Sequence, residues 1–267
     1  MSLGVSTCEM YRSLNEDGQP VDSIKDNRDF IRSSSIIEPF FFRKVPLWKR
    51  VLDLTGALFG LILFAPMFLI ISTIIKVVSP GPIFFYQERF GYGGKKFAFI
   101  KFRTMELNSD FSGHQQYLSE LISSGETENQ TVKPMTKQDD DNSQIIPFGR
   151  FLRNTCLDEL PQLINVLRGE MSLVGPRPPI PYEVAEYKAW HNNRFDALPG
   201  MTGLWQVSGK NRLTFKTMVR LDIQYLRNVS LLSDIKIILR TPLAIINEMY
   251  HSGTKQLLSR EGCEENA

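Results

Sequence analysis

Asp158 and Glu159 stand side by side just before Pro161, and cationic residues are set around them: Arg150 and Arg153 upstream, Lys101 and Arg103 closing an alternating segment, and Arg177 held between Pro176 and Pro178. Proline is tolerated in a helix only in its first turn, so Pro161 predicts that Asp158 and Glu159 lie at a helix start. Carboxylates there commonly do no more than cap the helix. The surrounding cations widen the chemistry on offer. A carboxylate that attacks phosphorus is repelled by the negative oxygens it approaches, and arginine forks, a lysine and usually Mg2+ must neutralise them. A helix N-terminus acts in the same sense by keeping the attacking group ionised. The set suits nucleophilic attack on a diphosphate.

Other chemistries find less support. Neither a G-x-x-x-x-G-K-[ST] loop nor a G-x-G-x-x-G loop occurs. His114, His191 and His251 lack metal-ligand spacing and read as surface or satisfied histidines. Asp139, Asp140 and Asp141 contain a D-x-D pattern, but their polar setting reads as a solvated loop. The three cysteines, Cys8, Cys156 and Cys263, are far apart and form no C-x-x-C, which argues against a disulfide framework or a zinc site.

The elements that must position the site follow from hydrophobic patterning. Leu54 to Ile75 carries no charge and is long enough to cross a hydrocarbon core of about 30 Å. Pro66 sits in its middle, where a proline kinks a helix. Basic residues flank it on both sides: Arg43, Lys44, Lys49 and Arg50 before, Lys76, Arg89, Lys95, Lys96 and Lys101 after. Positive residues favour the cytoplasmic side, so a helix that bends at Pro66 and leaves by the face it entered satisfies both flanks. Composition alone favours a simple span; with Pro66 and both basic flanks the two readings stand level. Asp53 falls one turn after Arg50, where the two could pair.

Residues 83–87 and 97–103 read as the strands of a β-hairpin around Gly91-Tyr92-Gly93-Gly94. Gln115–Ile122 reads as a short helix. Leu157, Leu160, Ile164 and Leu167 share a helical face, and Tyr182–Phe195 is expected to be helical. Leu213 to Tyr250 is helical in pattern with a break at Pro242, and Lys236 and Arg240 beside apolar faces suit a helix lying in a membrane interface or packed on the core.

With 267 residues, the chain suffices for one sizeable domain with tails. A net charge of +2 gives no reason to expect a nucleic acid partner. The divisions expected are a polar, disordered tail over 1–40, an interface segment and broken helix over 41–78, a catalytic domain with interfacial helices over 79–252, and a disordered tail over 253–267. No apolar signal-peptide region occurs in the first 30 residues.

From about Lys49 to Tyr250 the sequence resembles the monotopic phosphoglycosyl transferases, bacterial sugar transferases that start exopolysaccharide, O-antigen or glycoprotein glycan assembly. The resemblance rests on Lys49-Arg50-x-x-Asp53, the proline-broken apolar helix, Ser79-Pro80-Gly81-Pro82-Ile83-Phe84, Lys101-Phe102-Arg103-Thr104-Met105, Leu157-Asp158-Glu159-Leu160-Pro161-Gln162, Gly175-Pro176-Arg177-Pro178 and Pro199-Gly200-Met201-Thr202-Gly203-Leu204-Trp205, all in order. It implies an α+β, mostly helical domain on the cytoplasmic face of the bacterial inner membrane, with one re-entrant helix, interfacial amphipathic helices and a small β-hairpin. Asp158 would attack a UDP-sugar, release UMP and hold a covalent sugar phosphate that polyprenyl phosphate then takes up, with Glu159 assisting. Mg2+ would sit on Asp158. Lys101, Arg103, Arg153, Arg177 and Pro178 would form the phosphate site, and Lys49, Arg50, Asp53 and Pro66 the membrane re-entry device.

The chain departs from the family pattern at Ala65, where some relatives carry serine, at Cys156, often serine, at Asn142-Ser143-Gln144, where many carry an arginine, and at Lys210, usually arginine. A UDP-releasing glycosyltransferase and a non-enzymatic membrane scaffold are the alternatives. The apolar and aromatic faces of 182–250 could support a homodimer.

Overall fold

A computed structural model describes residues 44–107, 109, 112–124 and 144–264. The expected tail over 1–40 and the acidic run at Asp139–Asp141 fall outside them. Over the described residues the fold is mixed, with many helices around two small two-stranded sheets.

Helix α1 spans Leu47–Val78 without interruption and is long and apolar enough to cross a membrane. Its hydrogen-bonded course continues through Pro66. One side of it is packed along its whole length. Ala57 meets Phe99, Leu163, Val166 and Met171, while Ile71 and Ile75 meet Phe102, Ile146 and Leu152. Each buried isoleucine contributes about 1.5–3 kcal/mol. The other side is exposed and apolar, through Leu58, Phe59, Ile62, Leu63, Leu69 and Ile70.

The polar residues near the start of α1 do not behave as interface charges. Lys49 is buried, ion-paired to Asp234 at 2.6 Å, and donates to the Val174 carbonyl and the Tyr225 hydroxyl. The expected Arg50–Asp53 pair is not formed. Arg50 instead donates to the carbonyls of Val166 and Leu167 at 2.7 and 2.8 Å. Asp53 accepts from the Ser172 hydroxyl and the Leu173 amide, both at 2.8 Å. The cause is simple: a basic side chain finds better partners in the orphan carbonyls of a neighbouring helix C-terminus than in a side chain one turn away.

Strands β1 (Phe84–Phe90) and β2 (Lys96–Phe102) form the expected antiparallel hairpin, in the register Phe85 opposite Lys101. Phe102 is fully buried between Phe68 and Phe84. Helix α2 (Ser112–Ser124) covers the predicted helix at Gln115–Ile122. Helices α3 (Gly149–Thr155) and α4 (Gln162–Arg168) bracket the Asp-Glu pair, and β3 (Ser172–Val174) follows.

Tyr182–Phe195 is not one helix. It divides into α5 (Pro181–Ala185) and a 3-10 segment, Ala189–Asp196. Strand β4 (Gly200–Thr202) pairs parallel with β3, and α6 (Leu204–Val207) comes next. The break in the C-terminal helical region falls at Asn228–Ser230 rather than at Pro242. Helix α7 (Phe215–Arg227) ends there, and α8 runs from Leu231 through Pro242 to Glu264, into the stretch expected to be a disordered tail.

Candidate active site

The Asp-Glu pair occupies a 3-10 turn, Leu157–Glu159, between α3 and α4, and Pro161 is the N-cap of α4. The pair therefore sits one short turn ahead of the helix it was expected to begin. Cys156 joins α3 to this turn in a left-handed conformation (φ 56°), which reverses the chain so that Asp158 turns inward. Asp158 is 5% exposed, and Glu159 is half-buried.

Strand β2 brings Lys101 within electrostatic reach of both carboxylates and of Arg153. Burial lowers its ammonium to about 8, with Asp158 acting in opposition. Asn165 fixes this approach. It is fully buried, accepts from the Ile100 amide at 3.1 Å and donates to the Ala98 carbonyl at 2.7 Å and to Glu170 at 2.6 Å.

Arg177 approaches from a braced loop. Gly175 donates to Thr202 and Gly200 donates to Pro176, so the two segments cross where side chains have no room: a Cβ on Gly200 would lie 2.0 Å from the Gly175 nitrogen. Behind the loop lies a buried ionic cluster. Arg194 donates to the Arg177 carbonyl at 3.2 Å, to Asp222 at 3.0 Å and to Tyr187, and forms an ion pair with Glu183 at 3.4 Å. Burial alone would raise the Glu183 carboxyl, but Arg177 and Arg194 outweigh it and the net direction is down. The Arg177 Nε is buried and has no hydrogen-bond partner among the described residues.

Sequence reasoning placed Arg89 only among the flanking positive residues, yet it belongs to this site. It is 8% exposed, lies 4.7 Å over the Phe99 ring and donates to the Pro178 carbonyl at 2.7 Å. That contact defines the part Pro178 plays: its carbonyl anchors Arg89. Burial and the nearby Arg177 press the Arg89 guanidinium down, though an arginine stays cationic at neutral pH. A charged residue at an inward strand position was the available signal.

The site thus unites Asp158, Glu159, Lys101, Arg153 and Arg177 with Arg89. Arg103 is occupied elsewhere: its guanidinium donates to the Ser79 and Pro80 carbonyls at 2.8 and 2.7 Å and holds the turn that ends α1. Lys49, Arg50 and Asp53 seat the start of α1 and are not part of the site. Lys210 reaches Cys156 Sγ at 3.6 Å and Glu159 by charge. His191 is buried and accepts from the Lys188 amide, while His114 meets the Tyr182 hydroxyl at 2.7 Å. Among the described residues, no group of three or more His, Cys, Asp or Glu could hold a metal by itself.

A buried carboxylate amid lysine and arginine side chains is a site for phosphate chemistry. The family model for bacterial sugar transferases matches residues 44–248, which contain every element of the site.

The chain belongs to the bacterial sugar transferase family.

It is 38% identical over 197 residues to the exopolysaccharide production protein ExoY of Sinorhizobium fredii, covering 74% of this chain and 84% of that one. It is 40% identical over 205 residues to the UDP-glucose:undecaprenyl-phosphate glucose-1-phosphate transferase of Caulobacter vibrioides, covering 74% and 69%. Galactosyl transferase CpsE of Streptococcus agalactiae is 42% identical over 194 residues, with 72% of this chain and 41% of that longer protein covered. In this family of membrane-associated transferases, the exposed apolar side of α1 is the surface suited to lipid.

Proposed function

We propose that this sugar transferase moves a hexose 1-phosphate from a UDP-sugar to polyprenyl phosphate through a covalent intermediate on Asp158. The observation that carries the reading is the buried Asp158 facing the half-buried Lys101, with Arg89, Arg153 and Arg177 around them. The names of the Caulobacter relative and of the Salmonella typhimurium undecaprenyl-phosphate galactose phosphotransferase, 40% identical over 199 residues, support the same class.

In the first step an Asp158 carboxylate oxygen bonds to the β-phosphorus. The bond from that phosphorus to the bridging oxygen breaks, and UMP leaves with the electron pair. In the second step an oxygen of polyprenyl phosphate attacks the same phosphorus and returns Asp158 as a free carboxylate. Glu159 positions this acceptor or takes its proton. Lys101, Arg153 and Arg177 bind and neutralise the phosphate oxygens, each strengthened by exclusion from water.

Mg2+ fits the donor set. It is usually held by one or two carboxylates together with substrate phosphates and water, and Asp158 with Glu159 beside it provides that much and no closed cage. When bound there, it adds positive charge beside the phosphates.

Helix α1 is read as re-entrant in the cytoplasmic face of the inner membrane. Support comes from its two halves, which both pack on the same catalytic body while their outer sides stay apolar. The exposed Leu232, Leu239, Leu243 and Ile246 of α8, interleaved with Lys236 and Arg240, suit an interfacial helix.

The test is UMP release from UDP-sugars with polyprenyl phosphate and Mg2+, for the wild type and for Asp158→Asn. UMP from the wild type alone supports the reading. UDP release points to a glycosyltransferase, and full activity in Asp158→Asn removes the covalent step.

A further inference from the structure

Helix α3 joins two kinds of surface that the reaction as described leaves unused together. Phe148 and Phe151 are 41% and 48% exposed, and their rings stack with centroids 4.8 Å apart. Phe148 holds φ 69°, a conformation rare for a bulky residue. The cause lies beneath it. Ile146 and Leu152 are buried in the core, and Gly149 is pressed so close to the Thr104 carbonyl that a Cβ would sit 2.5 Å from it. The chain between these anchors has to turn outward at Phe148. The result is an aromatic pair held at the surface, one turn from Arg153 and a few residues from Asp158.

The same helix carries Arg150 on its exposed side and Arg153 toward Lys101. It packs against α8, on which Leu239, Leu243 and Ile246 are also exposed. An apolar strip that runs into cations beside a nucleophile matches a ligand with a long hydrocarbon tail and an anionic head.

We propose that the Phe148–Phe151 pair is the docking site for the first isoprene units of the polyprenyl phosphate acceptor, whose phosphate it delivers past Arg153 to the Asp158 intermediate. The proposal rests on the function given above. It assigns to the pair a share of acceptor recognition and none of donor recognition.

The experiment compares two acceptors, a long polyprenyl phosphate and, as the short one, ethyl phosphate, which has the anionic head but no isoprene unit, in full-length protein in lipid nanodiscs. The variants are Phe151→Ser alone and Phe151→Ser with Phe148→Asn, because asparagine tolerates the left-handed backbone. Exchange of labelled UMP into UDP-sugar needs no acceptor and reports the first step. The expected result is a fall of about tenfold in the long-over-short ratio of kcat/KM, with exchange unchanged, since an exposed phenylalanine contact is worth about one factor of ten. An unchanged ratio overturns the proposal. So does an equal loss toward both acceptors, which marks a structural role. Loss of vesicle binding at constant ratio assigns the pair to bulk lipid, and a change in oligomeric mass at constant ratio assigns it to a second copy. If the wild type turns over but shows no exchange, the covalent step fails while the acceptor ratio still judges the docking site. Should the double variant not fold, the exposed single substitution decides.

Discussion

The Ile100 amide donates to Asn165 Oδ1 at 3.1 Å, and this bond ties the strand carrying Lys101 to the helix that follows Asp158. A side-chain amide here does the work of a missing third strand: it satisfies β2 at Ala98 and Ile100, on either side of the strand's approach to Lys101.

Replacing Asn165 with leucine keeps the volume but leaves the Ile100 amide and the Ala98 carbonyl unpaired in the interior. A loss of about 2–4 kcal/mol is expected, with a fall in kcat as Lys101 shifts. Denaturant unfolding and steady-state kinetics on one preparation check both. Unchanged stability would show that the bonds are replaced by water.

Lys101→Met removes the half-buried cation near Asp158. A drop of about 100-fold or more in kcat/KM for UDP-sugar is expected, the scale seen when one preorganised charge is lost. Lys101→Arg should recover part of it. Equal activity in the methionine variant would contradict the phosphate role of Lys101.

Arg103→Gln separates the turn clamp from the phosphate site. Because Arg103 binds the Ser79 and Pro80 carbonyls, its loss should lower stability by about 1–3 kcal/mol and leave KM for UDP-sugar nearly unchanged. A large KM effect with intact stability would return Arg103 to the substrate.

Acid sensitivity has an identifiable source in His191. Burial, assisted by Arg194 and Lys188, lowers its imidazole from the usual 6.5 to about 4. Between those values the unfolded chain binds a proton that the folded one refuses. Its contribution is therefore full above pH 6.5 and is lost as pH falls toward 4. His191→Gln should flatten the decline of Tm over that window relative to the wild type, whatever its effect at neutral pH. Parallel Tm curves would show that the ring titrates normally.

The hairpin was legible because residues 97–103 alternate and Gly91–Gly94 punctuate them, and Pro161 marked the start of α4. What stayed hidden was charge on inward faces. Asp222 lies on the buried stripe of α7 with Met218, Val219 and Tyr225, and Asp234 on that of α8 with Ile237. Each reads as a surface residue until the partner, Arg194 or Lys49, arrives from a distant segment. Local patterning could have flagged a charge out of phase, but it holds no information on which distant cation answers it. Pro242 misled for a related reason: a helix braced by tertiary contacts absorbs one missing hydrogen bond, so proline alone does not set its end.

The seat of Lys49 also fixes an order of events during synthesis. Its partner Asp234 lies 185 residues further along the chain, and the partners of Asp53 follow it by 119 and 120 residues. The apolar helix therefore emerges from the ribosome long before the groups that neutralise its charged end. Until residue 234 is made, water has to solvate the Lys49 charge that Asp234 later pairs. A chain stopped short of Asp234 consequently keeps Lys49 without the carboxylate that pairs with it.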